Sequence, residues 1–419
     1  MNYSLGNMLG GAGALNADKL SLNLQFAADK TLTARRGPTP TFTRASTATF
    51  IGSDGLIQSA AINAARFDHD PVTLACKGLL IEESRTNLTT QSGNPASWTG
   101  GFTNNGATTA PDGSSNGVIA GVGILAITTP ATAATTGLHT ASVFLKRNNT
   151  DWVRIQVAQG SFAHAVNFWV NLATGAAGTL AVAIGTPTSL SAQVTPFGNS
   201  WYRISITASY PATALLTLTV ISATADASVT RVSGSVYEVW GGQIEAGSFP
   251  TSYIPTVASS VVRSADVCSI TGSAFTGMYN ATEGTLLLSA DEFRRGSSFP
   301  ALLRIADSAN PGNNRYNIGS YGSKTGSPSP LEFVVQSGGA IQYSVLPTSA
   351  SSNFKAALAY KLDDMRGALD GTLIASDTPP SSLIIGANTL QIGGIGIHIA
   401  SVRYYRKRLA NAKLTSLTA

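Results

Sequence analysis

The sequence predicts an all-β chain: an N-terminal arm followed by two β-sandwich domains. Three observations carry that reading. Apolar residues alternate with polar ones at a period of two, as in Val153, Ile155 and Val157 set against Trp152, Arg154 and Gln156. Turn-forming residues separate such stretches at short intervals. The composition is dominated by Gly, Ala, Ser and Thr, with 12% charged residues and a mean hydropathy of +0.13. That mixture is too apolar for a disordered chain and suits short strands and tight turns over long helices.

A length of 419 residues accommodates two or three domains, each with its own core. Residues 1–40 read as the arm. Gly6 to Ala14 is small and flexible, Leu20, Leu22, Leu24 and Phe26 alternate as one strand, and Arg35 to Pro40 reads as an extended linker. With Leu9, these apolar residues are too few to fold alone and too apolar to stay solvated, so burial against a partner is expected. Residues 41–95 form a block in which Ser53-Asp54-Gly55 turns the chain between two short strands.

Residues 96–265 read as the first sandwich. Tyr202, Ile204 and Ile206 alternate with Trp201, Arg203 and Ser205, and the period continues through Leu216, Leu218, Val220, Tyr237 and Val239. Asn148-Asn149, Thr174-Gly175, Gly198-Asn199 and Ser233-Gly234 punctuate these strands, which argues for two packed sheets. Residues 266–419 read as the second sandwich. It opens at Gly284–Leu288 and holds a hairpin whose Asp370-Gly371 suits a type I′ turn. Later strands follow at Leu390–Gly394 and Ile397–Tyr405. A short helix over 408–417 closes it, with Asn411 as its expected cap and Leu414 and Leu417 on one face.

The stretch Arg44 to Leu88 resembles the N-terminal block of tailed-phage structural proteins: tail fibres, tail spikes and head fibres. The pieces that carry the resemblance are Thr43 to Ile51, Ala65-Arg66-Phe67-Asp68, Asp70-Pro71 and Gly78 to Leu88. A second block agrees in order: Trp240 to Gly247, Thr251 to Thr256, then Arg263-Ser264-Ala265-Asp266. The resemblance implies a virion surface appendage. It implies a jelly roll similar to carbohydrate-binding modules for the first sandwich and a concanavalin A-like (laminin G-like) second one. It further implies a homotrimer, made in the host cytoplasm, held to a capsid or tail protein through its arm (Leu9, Leu20, Leu22, Leu24, Phe26), with the C-terminal domain distal.

Candidate chemistry is sparse. Asp68, His69 and Asp70 form a carboxylate–imidazole cluster, read as a turn with His69 exposed. Glu82 and Glu83 are neighbours on a strand and point to opposite faces, so they cannot flank one sugar ring; Arg85 is their expected ion-pair partner. Asp363 and Asp364, before Arg366, likewise diverge on a strand and lack a calcium loop. His69, His139, His164 and His398 are scattered, no Gly-x-Ser-x-Gly elbow occurs, and no Lys-Ser or Lys-Thr follows a Gly-rich turn. No catalytic residue, cofactor or metal site is therefore expected. Stacking on sugar C–H faces needs an aromatic platform, for which the tryptophans are the candidates, Trp98, Trp152 and Trp201 ahead of Trp169 and Trp240.

The charge of +5, from 27 basic and 22 acidic residues, is small for this length and shows no basic patch with interleaved aromatics, which argues against nucleic-acid binding. The Arg403, Arg406, Lys407 and Arg408 cluster reads as a solvated strand end. Cys76 and Cys268 read as free thiols. No signal peptide and no membrane span are expected. The leading functional expectation is adhesion: weak glycan sites on host-surface polysaccharide, repeated on one particle for avidity. A glycan depolymerase would carry a repeated β-helix period, which is not found. A capsid cement protein without ligand is the third reading.

Overall fold

The computed structural model describes residues 19–121, 126–129, 132–291, 301–320, 331–345, 353–374, 382–394 and 396–419. The chain is all-β, with several antiparallel sheets and few helices. Two sandwiches organise it, and one is inserted into the other.

The first sandwich packs two sheets. In one, the strand order is Thr188–Pro196, Trp201–Tyr210, Gly137–Arg147, Val236–Ala246, Gly117–Gly121 and Thr103–Thr108. In the other it is Ala176–Ile184, His164–Asn171, Trp152–Gln159, Ala214–Ala223, Ala126–Thr128 and Thr99–Gly100, with Thr132–Ala134 also on Ala214–Ala223. Val143, Leu145, Ile204 and Ile206 from one sheet meet Val153, Ile155, Val157 and Val220 from the other in a single core. The alternation fixes this register, since a one-residue slip would turn every one of these side chains outward.

The second sandwich is assembled from both ends of the chain. One sheet runs Thr372–Ile374, Arg366–Leu369, Asn353–Lys361, Glu283–Asp291, Ile397–Tyr405, Cys76–Ile81 and Phe67–His69, with Leu20–Leu24 also paired to Ile397–Tyr405. The facing sheet runs Thr41–Thr43, Val267–Thr271, Thr389–Ile392, Ala301–Ala306, Arg315–Ser320, Leu331–Ser337 and Ala340–Val345. Asp370 and Gly371 both take positive φ, 45° and 77°, as the type I′ hairpin requires. The closing helix spans Asn411–Thr418; Ala410, not Asn411, occupies its N-cap, without a side-chain cap.

Three expectations are corrected here. Residues 20–26 are not part of a detached arm. Leu22, Leu24 and Phe26 lie in the main core of the second sandwich, and Leu20 packs with Leu287, Leu409 and Leu414 on the sheet's other side. The apolar residues that cannot fold alone are completed by the chain's own C-terminal strand, through the pairs Leu20↔Tyr405 and Leu24↔Val402. Leu9 lies outside the described residues. Nor do residues 41–95 stand as a separate block, or 266–419 as a self-sufficient sandwich. Thr41–Thr43, Phe67–His69 and Cys76–Ile81 are strands of the second sandwich, and Arg85–Asn87 pairs with Val261–Arg263 at the junction.

Candidate functional site

The two motif blocks converge on one buried ionic clasp at the junction of the sandwiches. Arg66 Nη1 donates to Glu82 Oε2 at 2.8 Å and its Nη2 binds Asp266. Arg44 Nη1 reaches Asp266 Oδ1 at 3.1 Å, and Arg263 Nη1 reaches Glu82 Oε2 at 2.8 Å. All five side chains are almost fully buried. Ser252 donates its N–H to Glu82 Oε1 and its hydroxyl to Oε2, each at 2.7 Å. Burial alone would raise the Glu82 carboxyl, but Arg263 and Arg66 reverse this and hold it far below the usual carboxylate range. Arg85 takes Glu83 alone, at 2.7 Å. The expected partnership of both glutamates with Arg85 is thus corrected for Glu82, which the fold turns inward. With every carboxylate occupied, this cluster has the chemistry of a joint.

Beside the clasp lies a cleft of about 460 Å³ between the sandwiches, whose walls include Phe50, His69, Lys77, Thr195, Arg203 and His398. Asp68 accepts the Ile51 N–H on one oxygen and meets His398 Nε2 at 2.7 Å on the other. His69 was expected on the surface but is 5% exposed. A bulge between Asp68 and His69 puts both neighbours inside. His69 Nδ1 lies 3.1 Å from the Ile51 carbonyl, and its Nε2 has no hydrogen-bond partner among the described residues. Asp70 does set the turn, accepting the N–H groups of Val72 and Thr73. No set of three or more His, Cys, Asp or Glu side chains is placed to hold a metal among the described residues. Asp363 sits at positive φ in a turn, and Asp364 pairs with Arg408 at 2.7 Å, so these acids are not on a strand as expected. Cys76 is half-buried and Cys268 buried, both as free thiols.

The three tryptophan candidates separate. Trp201 is 1% exposed and packs with Phe144, Phe197, Trp240 and Tyr253. Its indole donates to the Thr109 carbonyl at 3.3 Å. Trp98 is 4% exposed, in the first sandwich's core, and donates to Gln91 O at 2.9 Å. Neither is a platform: a strand's outward face is not solvent where other parts of the chain cover it. Trp152 is half-exposed and opens the outward row of the strand Trp152–Gln159.

That row continues through Arg154 and Gln156. Cross-strand register sets Arg154 beside Trp169 and Ile221, and Gln156 beside Asn167 and Thr219. Gln156 Nε2 donates to Asn167 Oδ1 at 2.9 Å. The Arg154 guanidinium lies 6.0 Å from the centre of the Trp169 ring, and Trp169 is pinned by its N–H bond to Ser228 O at 2.7 Å. Burial, then the nearby Arg231, lowers the Arg154 pKa. The alternation in the sequence sets Arg154 on the outward row with Trp152 and Gln156 and carries no sign of its surroundings. Alternation shows which face a residue takes, not which ions await it there.

No protein-family model matches the sequence, and no curated protein matches it. Among solved structures, the chain is similar to the CBM40 module of the Ruminococcus gnavus IT-sialidase bound to α2,3-sialyllactose. The TM-score is 0.28 with 15% identity, over 35% of this chain and 87% of that one. A leech intramolecular trans-sialidase is similar at a TM-score of 0.27 and 15% identity, over 36% of this chain and 26% of that one. At these scores the likeness bears on neither ligand nor activity.

Proposed function

We propose that this chain is an adhesive surface protein of a tailed-phage particle, holding host-surface glycans through the outer sheet face of its first sandwich. The observation that carries the reading is the row Trp152, Arg154, Gln156 with its neighbours Asn167 and Trp169. It combines a half-exposed indole with a paired amide ladder on a rigid sheet. An indole face suits sugar C–H groups, and amides suit hydroxyls. The two motif blocks support the virion part of the reading, since the residues that resemble phage appendages also build the joint between the sandwiches.

On this reading the protein is made in the host cytoplasm and joins a capsid or tail protein. It attaches through residues 1–18, which include Leu9, because Leu20 to Phe26 are spent on its own core. A homotrimer is the expected assembly, measured by light scattering. Each site is weak, and repetition supplies avidity. The test compares wild-type protein with Trp152→Ala for binding to purified host surface polysaccharide and for competition with particle adsorption. Binding and competition by wild type, both lost in the variant, support the proposal. Polysaccharide binding that Trp152→Ala leaves intact removes this face from it.

A further inference from the structure

Among the described residues, Arg154 is a buried cation without an anion. It is 9% exposed, and its Nε has no hydrogen-bond partner. The arginines of the clasp show what this fold does with buried guanidinium groups: Arg44, Arg66 and Arg263 each bind Asp266 or Glu82. Around Arg154 the polar company is different. The Trp169 ring lies under it, and the charge nearest in effect is the like-signed Arg231. The acids of the adjoining segments are spoken for. Asp226 accepts from the Thr179 N–H at 2.7 Å and hydroxyl at 2.9 Å, and Asp151 pairs with Arg147. A desolvated charge is costly unless paired, and one ring face is a partial substitute at best.

We propose that this face takes a saccharide carrying an anionic group, a carboxylate or sulfate, with Arg154 as its counter-ion. The inference rests on the glycan-binding reading above and adds the chemical class. Successive outward residues on a strand lie about 6–7 Å apart, so Trp152, Arg154 and Gln156 span about 12–14 Å, the reach of a short oligosaccharide. The anionic group meets Arg154 over Trp169, the neighbouring ring meets the Trp152 indole, and hydroxyls meet the Gln156–Asn167 pair. Charge at this site is local, with Arg154 and Arg231 in place of a long basic track, which suits one acidic sugar better than a polyanionic backbone.

The experiment is titration calorimetry with the full-length protein and four oligosaccharide probes: a hexuronate oligomer, the same oligomer after carboxyl reduction, a sulfated oligomer and a neutral one. Wild type is expected to bind the hexuronate or the sulfated probe. For the hexuronate, carboxyl reduction should cost roughly 10- to 100-fold in affinity, the scale of one lost charge-assisted contact. Arg154→Gln should erase the preference for charge while its melting temperature does not fall, because no protein partner is orphaned. The sulfated arm separates the two anion sources. Equal binding of neutral and anionic probes by wild type, or a preference that survives in Arg154→Gln, overturns the charge assignment and leaves the glycan reading standing. No binding of any probe by the wild type overturns both.

Discussion

At the residue scale, Glu82 and the two strand-opening tryptophans, Trp152 and Trp201, show how position decides role. Glu82 accepts from Arg66, Arg263 and Ser252 at once. Replacing it with Gln leaves two buried guanidinium groups short of a counter-charge, and should cost about 3–5 kcal/mol in a denaturant titration. The pH dependence has a definite sign. The folded pKa of Glu82 lies below its ordinary value of 4.5, so the unfolded chain takes the proton first as pH falls. Its contribution is complete above pH 4.5 and is lost progressively below it. Stability measured from pH 7 downward should therefore drop below pH 4.5 in wild type, with a shallower drop in Glu82→Gln. Glu245 works the other way: burial pushes its carboxyl up, against the partial offset of Arg85, Arg203 and Arg263, so it weighs against the fold as pH rises past its unfolded value. Trp152 and Trp201 both open strands, yet one is half-exposed and the other enclosed. Trp201→Ala should cost about 3–5 kcal/mol and Trp152→Ala far less. Equal losses in thermal unfolding would refute this assignment.

At the scale of elements, the strand Leu20–Leu24 completes a core it sits far from in sequence. Leu22→Ala should destabilise by about 2–5 kcal/mol as a buried large-to-small change. Deleting residues 2–18 should leave the melting temperature unchanged. Deleting 2–40 should abolish the cooperative unfolding of the second sandwich. The period of two identified this strand, the Val153 and Ile204 strands and the Asp370-Gly371 hairpin, because alternation and turn chemistry are local. It could not name the strand's partner, since Leu20 pairs with Tyr405. The same limit hid the chemistry. Asp68 looked like a turn residue beside an exposed His69, while its partner His398 lies 330 positions away. Glu82 and Glu83 were read as neighbours on a strand, but they lie between the strands Cys76–Ile81 and Arg85–Asn87, and the arginines that claim Glu82 come from two distant blocks. Exposure of Trp98 and Trp201 failed for a related reason, because which face of a strand is covered is decided by segments elsewhere in the chain.

For the whole molecule, insertion sets orientation. The strands nearest the two ends, Leu20–Leu24 and Ile397–Tyr405, lie side by side in the second sandwich. The first sandwich lies between them in sequence and leaves the second through the junction at Arg85–Asn87 and Val261–Arg263. A protein attached through residues 1–18 would then hold its second sandwich toward the particle and its first sandwich outward. This reverses the expectation that the C-terminal domain is distal, and it agrees with a glycan face on the first sandwich. A gold label on the C-terminus should appear close to the particle surface in electron micrographs; a label at the far tip would refute attachment by the N-terminus. The clasp should also make the sandwiches unfold together, so that calorimetry gives one transition in wild type and two in Glu82→Gln.

The adjacency of the two end strands also has a consequence for synthesis. Everything from Thr99 to Ala246 in the first sandwich is contiguous and can close as soon as it leaves the ribosome. The Leu20–Leu24 strand must wait for Val402 to Tyr405, which at about 5–20 residues per second takes on the order of 20–80 s. Through that interval Leu22, Leu24 and Phe26 stand without their core. On a crowded polysome, the segment most exposed to capture by a sister chain is therefore the first strand. A strand-exchanged dimer, joined through Leu20–Leu24, is the misassembly this topology favours when the concentration of nascent chains is high.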